Sequence, residues 1–286
     1  MKVLVLGATG MVGHIISMYL KELDYDVTVL SRRSFQYFSN INKVLIDVTD
    51  FVDLKKNIIE GNYDVLINAI GILNQYAEKN KSLAVLLNSY LPHYLSDIAK
   101  NMKTRIIHIS TDCVFSGKIG KYNETSFRDG EDFYSRTKAL GELENDKDLT
   151  FRNSIVGPDC NINGLGLFNW FMKQKGPISG FTKVFWSGIT SLTLAKAINR
   201  ACYEKITGLY QLSNNESISK FKLLELFNKH MKNNKIIILP SNRFLSDKSL
   251  NNNRNDFSFK VPSYEDMIID MKKWIKDHKE IYPHYE

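Results

Sequence analysis

Tyr134 and Lys138, in the run Tyr-Ser-Arg-Thr-Lys, are the residues of this chain best suited to acid–base chemistry. Four residues is just over one helical turn, so on a helix the phenol and the ammonium leave the same face. A fixed cation about 4 Å away, at an effective dielectric of about 20, favours the phenolate by about 4 kcal/mol. That would draw a tyrosine from about 10 toward about 7, where a proton donor works near neutral pH. The spacing by itself is common and also fits two unrelated surface residues. Its position is what counts: it lies downstream of a Ser110–Thr111 pair and of a Gly7-x-x-Gly10-x-x-Gly13 turn near the N-terminus.

The elements around these residues read as an α/β protein of the Rossmann type. Short apolar runs at 2–6, 26–30, 44–46, 65–67 and 105–109 alternate with helical patterns at 13–20, around 54–59 and at 83–99. Such alternation predicts a doubly wound parallel sheet covered by helices on both faces, with right-handed crossovers. The first strand ends in Gly7-Ala8-Thr9-Gly10-Met11-Val12-Gly13. There Gly7 permits a tight turn, Gly10 lets the backbone approach a pyrophosphate, and Gly13 lets the following helix sit close to the sheet. The helix N-terminus then presents amides and a partial positive charge to phosphates.

The end of the second strand reads Leu30-Ser31-Arg32-Arg33. NAD sites place a carboxylate there for the ribose 2′-hydroxyl, whereas guanidiniums pair with a 2′-phosphate. The expected cofactor is therefore NADPH, with NADH as the alternative and a solvated basic turn as the bland reading. Asp47 and Val48 after the third strand suit the adenine rim. Asn68-Ala69-Ile70-Gly71 ends the fourth strand where a dinucleotide crosses the sheet edge.

Composition bounds the rest. The 286 residues, 43% hydrophobic and 24% charged, suffice for one large domain or one and a half. Cys113, Cys160 and Cys202 lack metal-ligand spacing and read as reduced thiols of a cytoplasmic protein. No apolar stretch reaches the length of a membrane span. A net charge of +7 suits anionic small molecules, and its lysines are too dispersed for a nucleic-acid surface. Looser alternation after residue 150 suggests a dinucleotide-binding domain over 1–158, rejoined by parts of 180–213, and a substrate-binding lobe over most of 159–286.

With these residues in place, the sequence resembles the extended short-chain dehydrogenase/reductase family. The glycine turn, Asn68-Ala69-x-Gly71, Ser110-Thr111 and Tyr134-x-x-x-Lys138 match in order. More narrowly it resembles the dTDP-4-dehydrorhamnose reductase group of nucleotide-sugar reductases. Ser110-Thr-Asp-Cys-Val-Phe-Ser-Gly117 is similar to that group's Ser-Thr-Asp-Tyr-Val-Phe-x-Gly, and Tyr122-x-Glu124, Lys138-x-x-Gly141-Glu142 and Arg152-x-Ser154 also match. Cys113 replaces the group's tyrosine, and Asp129-Gly130-Glu131-Asp132 stands where a proline usually precedes the catalytic tyrosine.

The resemblance implies NADPH-dependent reduction of the 4-keto group of a nucleotide-linked 4-keto-6-deoxy sugar. Tyr134 would protonate the alkoxide, Lys138 would lower the tyrosine's pKa and hold the nicotinamide ribose, and Thr111 would bind the carbonyl oxygen. Asp112, Val114 and Phe115 of the same segment, with Trp186, Lys248 and Arg254 of the second lobe, would contact the nucleotide-diphosphate sugar. Arg254 is the first choice for the diphosphate. Asn88 would support the site or be a simple exposed amide. A dehydratase would need an acid at Cys113, and a nucleotide-sugar epimerase would keep NAD. A non-catalytic NADP-binding regulatory subunit would be expected to lose Thr111, Tyr134 or Lys138. Oligomeric state, including a homodimer, is open.

Overall fold

The computed structural model describes residues 1–32 and 40–285, and Arg33 lies outside them. Seven parallel strands form the central sheet: β1 (Lys2–Leu6), β2 (Asp26–Ser31), β3 (Asn42–Leu45), β4 (Val65–Asn68), β5 (Arg105–Thr111), β6 (Leu149–Asn153) and β7 (Gly208–Gln211). Their order is β7-β6-β5-β4-β1-β2-β3. The chain runs outward from β1 through β2 and β3, then returns to place β4 on the other side of β1. The strand order thus reverses between β1 and β4, and a crevice opens at their C-terminal ends.

Period-2 alternation buries both faces of the sheet. Val3 and Val5 point into one core with Ile15 and Ile16 of α1 (Gly13–Glu22). Leu4 and Leu6 point into the other, with Leu54 and Ile58 of α2 (Phe51–Gly61). All four strand side chains are 0–1% exposed. Side chains so buried contribute about 1.5–3 kcal/mol each, which is why β1 tolerates no polar residue on either face.

After β4 the chain forms α3 (Asn74–Lys79) and α4 (Lys81–Ala84). A π-helical turn at Val85–Tyr90 then runs into α5 (Leu91–Ala99). Beyond β5 lies α6 (Phe133–Leu140), which carries Tyr134 and Lys138. Its N-cap is Asp132, whose side chain accepts the Ser135 N–H at 2.8 Å. An aspartate cap thus opens this helix in the segment that departs from the reductase pattern.

The later chain contributes α7 (Leu167–Met172), α8 (Ser191–Tyr203), α9 (Lys220–Met231) and α10 (Tyr264–Asp277). Helix α8 lies against α1, and the strand that follows it, β7, extends the central sheet beside β6. Short strands pair outside the central sheet: Ile178–Phe181 with Ile238–Ser241, and Val184–Trp186 between Ile218–Ser219 and Ser246–Asp247. Ser263 caps α10, accepting the Asp266 N–H at 3.2 Å. Among the described residues, no helix is long and apolar enough to cross a membrane.

Candidate active site

Two clefts meet at the C-terminal ends of β1 and β4. The first, about 410 Å³, is lined by Gly7, Thr9, Ser31, Arg32, Asp47 and Val48. The second, about 500 Å³, is lined by Met11, Val12, Thr111, Asp112, Tyr134 and Lys138. Gly10, Ala69, Ile70 and Gly71 belong to both walls, so one continuous groove runs from the β2 end to the helix bearing Tyr134.

The glycine turn explains the first cleft. Gly7 sits at φ +80°, and a Cβ there would lie 2.9 Å from the Ala69 carbonyl. A Cβ on Gly13 would collide with the Gly7 carbonyl, so only glycine lets α1 start so close to β1. Val12 gives α1 no side-chain cap, which leaves first-turn N–H groups for a ligand in the groove. Asp47 is held below the usual carboxylate range, first by the Thr49 backbone N–H and also by Thr49's hydroxyl and the Arg32 guanidinium, against burial. Asn68 and Gly13 are buried behind the groove rather than on its wall.

In the second cleft, Lys138 is 3% exposed and its Nζ donates to the Ile109 carbonyl at 2.7 Å. His108 Nε2 lies 3.3 Å from the same nitrogen. Burial lowers the Lys138 ammonium to about 8, against the pull of Glu142. Tyr134 is 7% exposed, and burial pushes its phenol above its ordinary value. The Cys113 thiol adds to the rise, while a Thr111 hydrogen bond opposes it. The Lys138 ammonium is held by a β5 carbonyl, and burial dominates the phenol.

Thr111 accepts the Cys113 N–H at 3.1 Å and its hydroxyl donates weakly toward Asp112 at 3.3 Å. Burial raises the Asp112 carboxyl, with Lys220 and Lys248 opposing. Asn88 is fully buried on the π turn, not an exposed amide. Its Oδ1 accepts Ile72 N–H at 2.8 Å, and its Nδ2 donates to Ile72 O at 2.9 Å and to Thr137 at 3.1 Å. It ties the loop after β4 to α6. Beneath the site, Glu142 accepts from Ser110 at 2.6 Å and pairs with the buried Arg152 at 2.6 Å.

Several expected substrate contacts lie elsewhere. Val114 and Phe115 are 0% exposed and form a small core with Tyr122 and Leu250, because the 3₁₀ turn at 112–114 swings them inward. Trp186 is 2% exposed and packs 5.7 Å from the Tyr264 ring, so it cannot stack on a base. Arg254 donates to the Thr207 and Leu209 carbonyls at 2.6 and 2.8 Å and pairs with Asp256, so its guanidinium is spent along the outer edge of β7. Lys248 stays near the site, where its charge acts on Asp112 and Cys113.

Three residues were not singled out from sequence. Asn153, paired with Thr111 across β5 and β6, lines the second cleft, is 1% exposed, and has neither Oδ1 nor Nδ2 hydrogen bonded. Lys220, first residue of α9, places its ammonium 5.1 Å from the Trp186 ring and close enough to act on Asp112. Burial lowers it to about 8. His108 underlies Lys138. Only His108 carried a sequence signal, as a polar residue inside an apolar strand run. Among the described residues, no group of three or more potential metal ligands occurs.

The chain is similar to known proteins. The spore coat polysaccharide biosynthesis protein SpsK of Bacillus subtilis is 27% identical over 220 residues, 74% of this chain and 73% of the relative. The dTDP-4-dehydrorhamnose reductase of Aggregatibacter actinomycetemcomitans is 32% identical over 145 residues, 49% of this chain and 45% of that protein. Among solved structures, a hypothetical dTDP-4-dehydrorhamnose reductase from Sulfolobus tokodaii superposes with TM-score 0.77 at 26% identity, covering 93% of this chain and 98% of the other. The Bacillus anthracis dTDP-4-dehydrorhamnose reductase in complex with NADP gives TM-score 0.80 at 22% identity, with 96% and 99% covered. Residues 1–251 match the family described as RmlD substrate binding domain, and the chain belongs to that family.

Proposed function

We propose that this protein is an NADPH-dependent reductase of the 4-keto group of a nucleotide-linked 4-keto-6-deoxy sugar, of the dTDP-4-dehydrorhamnose reductase type. The observation that carries the reading is the shared groove: Thr111, Tyr134 and Lys138 line a cleft continuous with the one built by the glycine turn and Arg32. In this reading residues 1–158, with part of 180–213, hold the cofactor, and 159–286 supply mainly the sugar-nucleotide side.

The residues fit NADPH. The uncapped α1 N-terminus and the glycine turn cradle a pyrophosphate, and Arg32 on the groove wall meets a 2′-phosphate. The unpaired amide of Asn153 offers one donor and one acceptor to the nicotinamide end. When bound, the cofactor supplies a hydride to the ketone carbon. Tyr134 Oη–H gives its proton to the oxygen as negative charge develops there. Thr111 orients that oxygen with its hydroxyl, and Lys138 restores the proton balance at Tyr134. Cys113 stands where dehydration would need a second carboxyl group, and a thiol does not supply one.

The experiment is a screen of NADPH oxidation against dTDP-, UDP- and GDP-linked 4-keto-6-deoxy sugars and the corresponding free sugars. Turnover with one nucleotide series and little with the free sugar is expected. Equal kcat/KM for the free sugar would remove the nucleotide from the assignment. No turnover with any ketone would leave a binding role. In the same assay Arg32→Ala should weaken NADPH by about 1–3 kcal/mol and leave NADH nearly unchanged, the scale of a lost charged hydrogen bond.

A further inference from the structure

The glycine turn is fastened from the far end of the chain. His14, the second residue of α1, is buried, and its Nδ1 lies 2.9 Å from the Gly10 carbonyl oxygen. Its Nε2 lies 2.8 Å from the hydroxyl of Tyr282, 268 positions later. Trp274 Nε1–H, on α10, donates to the same hydroxyl at 3.1 Å. Tyr282 and Trp274 are buried as well. A carbonyl only accepts, so Nδ1 carries the imidazole proton. An indole N–H only donates, so the Tyr282 oxygen accepts from Trp274 and its own proton goes to the bare Nε2. Burial lowers the His14 pKa to about 4, opposed by the Gly10 bond and helped by the His278 charge, so the ring is neutral near neutral pH. Every donor in the row Trp274, Tyr282, His14, Gly10 thus meets an acceptor.

The Gly10 carbonyl matters because of what lies across its peptide unit. No peptide bond among the described residues is cis, so the Met11 N–H points opposite to the Gly10 C=O. With the oxygen turned toward His14, that N–H faces the other way, where Gly10 and Met11 line the groove. Sterics do little to fix this peptide: a Cβ on Gly10 would meet only the Gly7 carbonyl oxygen, at 3.4 Å, and glycine rotates freely. Its orientation is set by hydrogen bonds, and two of them come from His14, whose backbone N–H also donates to Gly10 O at 3.2 Å.

We propose that His14 and Tyr282 are positioning residues of the cofactor cradle: Tyr282 holds the imidazole so that its Nδ1–H pins the Gly10 carbonyl, which keeps the Met11 N–H presented to a dinucleotide pyrophosphate. The inference rests on the dinucleotide reading of the groove.

The segment that reaches the turn is itself firmly held. The family match ends at residue 251, so Trp274 and Tyr282 belong to the chain beyond it. His278 Nε2 lies 2.6 Å from Glu22 at the other end of α1, and its ring stacks on Trp274 with centroids 4.0 Å apart. Tyr285 Oη accepts the Asp159 N–H at 2.9 Å and donates to Asn169 Oδ1 at 2.9 Å. Asp159 lines the second cleft, so the C-terminal segment is anchored on both sides of the glycine turn.

The test uses the full-length protein and NADPH, with Kd measured by fluorescence titration. His14→Gln keeps a polar group at the Nε2 position but has no donor at the Nδ1 position, so NADPH should bind roughly tenfold more weakly. His14→Asn places an amide N–H where Nδ1–H stood, so its Kd should stay within about threefold of the wild type. Both variants lose the ring, so a packing role alone would weaken them alike. Tyr282→Phe should raise Kd roughly threefold or more, because the imidazole loses its outer anchor. In the cofactor-free wild type, nitrogen NMR should show the His14 proton on Nδ1 and a bare Nε2, the signal being assigned by its loss in His14→Asn. Unchanged affinity in His14→Gln and Tyr282→Phe overturns the proposal, as does His14→Asn binding as weakly as His14→Gln, or a proton found on Nε2. If a His14 variant fails to fold by circular dichroism, Tyr282→Phe and the wild-type tautomer decide. A wild type that binds neither NADPH nor NADH overturns the cofactor reading and this inference together. A wild type that binds NADPH, with variants that bind it equally, overturns this inference alone.

Discussion

At the scale of single residues, Tyr134 holds its proton firmly and sits in the groove beside Thr111 and Lys138. Tyr134→Phe keeps the ring and removes that proton, so turnover should fall by roughly 10²-fold or more while NADPH affinity, measured by fluorescence titration, is retained. A variant with near-normal turnover would assign proton donation to another group. Lys138 makes a second prediction, about stability. Its ammonium titrates at about 8 in the fold, below the ordinary lysine value. Between the folded and unfolded values the unfolded chain binds the extra proton, so this lysine's contribution to stability rises as pH climbs through that window. Below it the buried charge costs the fold on the order of 3 kcal/mol. Lys138→Met should therefore stabilise the cofactor-free protein to urea at pH 7, less the lost bond to Ile109, while abolishing catalysis. The gain should shrink as pH rises above about 8 toward about 10.4. A gain that grows with pH would reverse the sign of the argument. The Tyr134–Lys138 pair was legible in the sequence because helical spacing is a local property. The partner of Lys138 Nζ was not, because it is a carbonyl and an imidazole supplied by a strand some thirty positions earlier.

Elements set how precisely those residues are held. The π turn at Val85–Tyr90 inserts Asn88 between Ile72 and Thr137, and Gly141 permits the approach of the Asn88 carbonyl at the far end of α6. Asn88→Ala removes three hydrogen bonds from a fully buried amide. At about 1 kcal/mol net for each, the loss should be about 2–3 kcal/mol in urea unfolding. A drop in kcat should accompany it, because α6 is no longer tied to the loop after β4. Unchanged kcat with the full stability loss would mean that the clamp serves folding alone. Strands β1, β2, β4 and β5 were readable as apolar runs because parallel strands buried on both faces carry few polar residues. The glycine turn was readable because only glycine fits where a Cβ would strike the Gly7 or Ala69 backbone. The π turn leaves no comparable mark: its residues Val-Leu-Leu-Asn-Ser-Tyr suit any helix. The second-lobe strands, two to four residues long, are too short for alternation to register.

For the molecule as a whole, charge alone does not reveal which cations of the later chain come near the groove. Arg254 was a reasonable diphosphate ligand by residue type, yet the fold spends it on the outer edge of the sheet. There it covers the Leu209 carbonyl of the edge strand β7 and the Thr207 carbonyl just before it, with its guanidinium 5.4 Å from the Tyr210 ring centre. An edge strand with uncovered carbonyls invites pairing with another chain, and a bound arginine blocks it. Lys220 instead lies close enough to act on Asp112 of the second cleft, brought there because Ser219 caps α9 and fixes the first turn beside Trp186. The two cations should therefore separate cleanly by experiment. Arg254→Ala should lower the melting temperature, at a cost of about 1–2 kcal/mol for partly exposed carbonyls returned to water, and leave KM for the nucleotide sugar unchanged. Lys220→Met removes a cation whose charge acts on Asp112, a residue of the second cleft's wall, and relieves a buried charge. It should raise KM for the nucleotide sugar by roughly tenfold, about 1.4 kcal/mol, with no loss of thermal stability and no change in NADPH affinity. If Arg254→Ala raises KM and Lys220→Met does not, the diphosphate lies along β7, and the second lobe would have to close over the groove differently from the arrangement described.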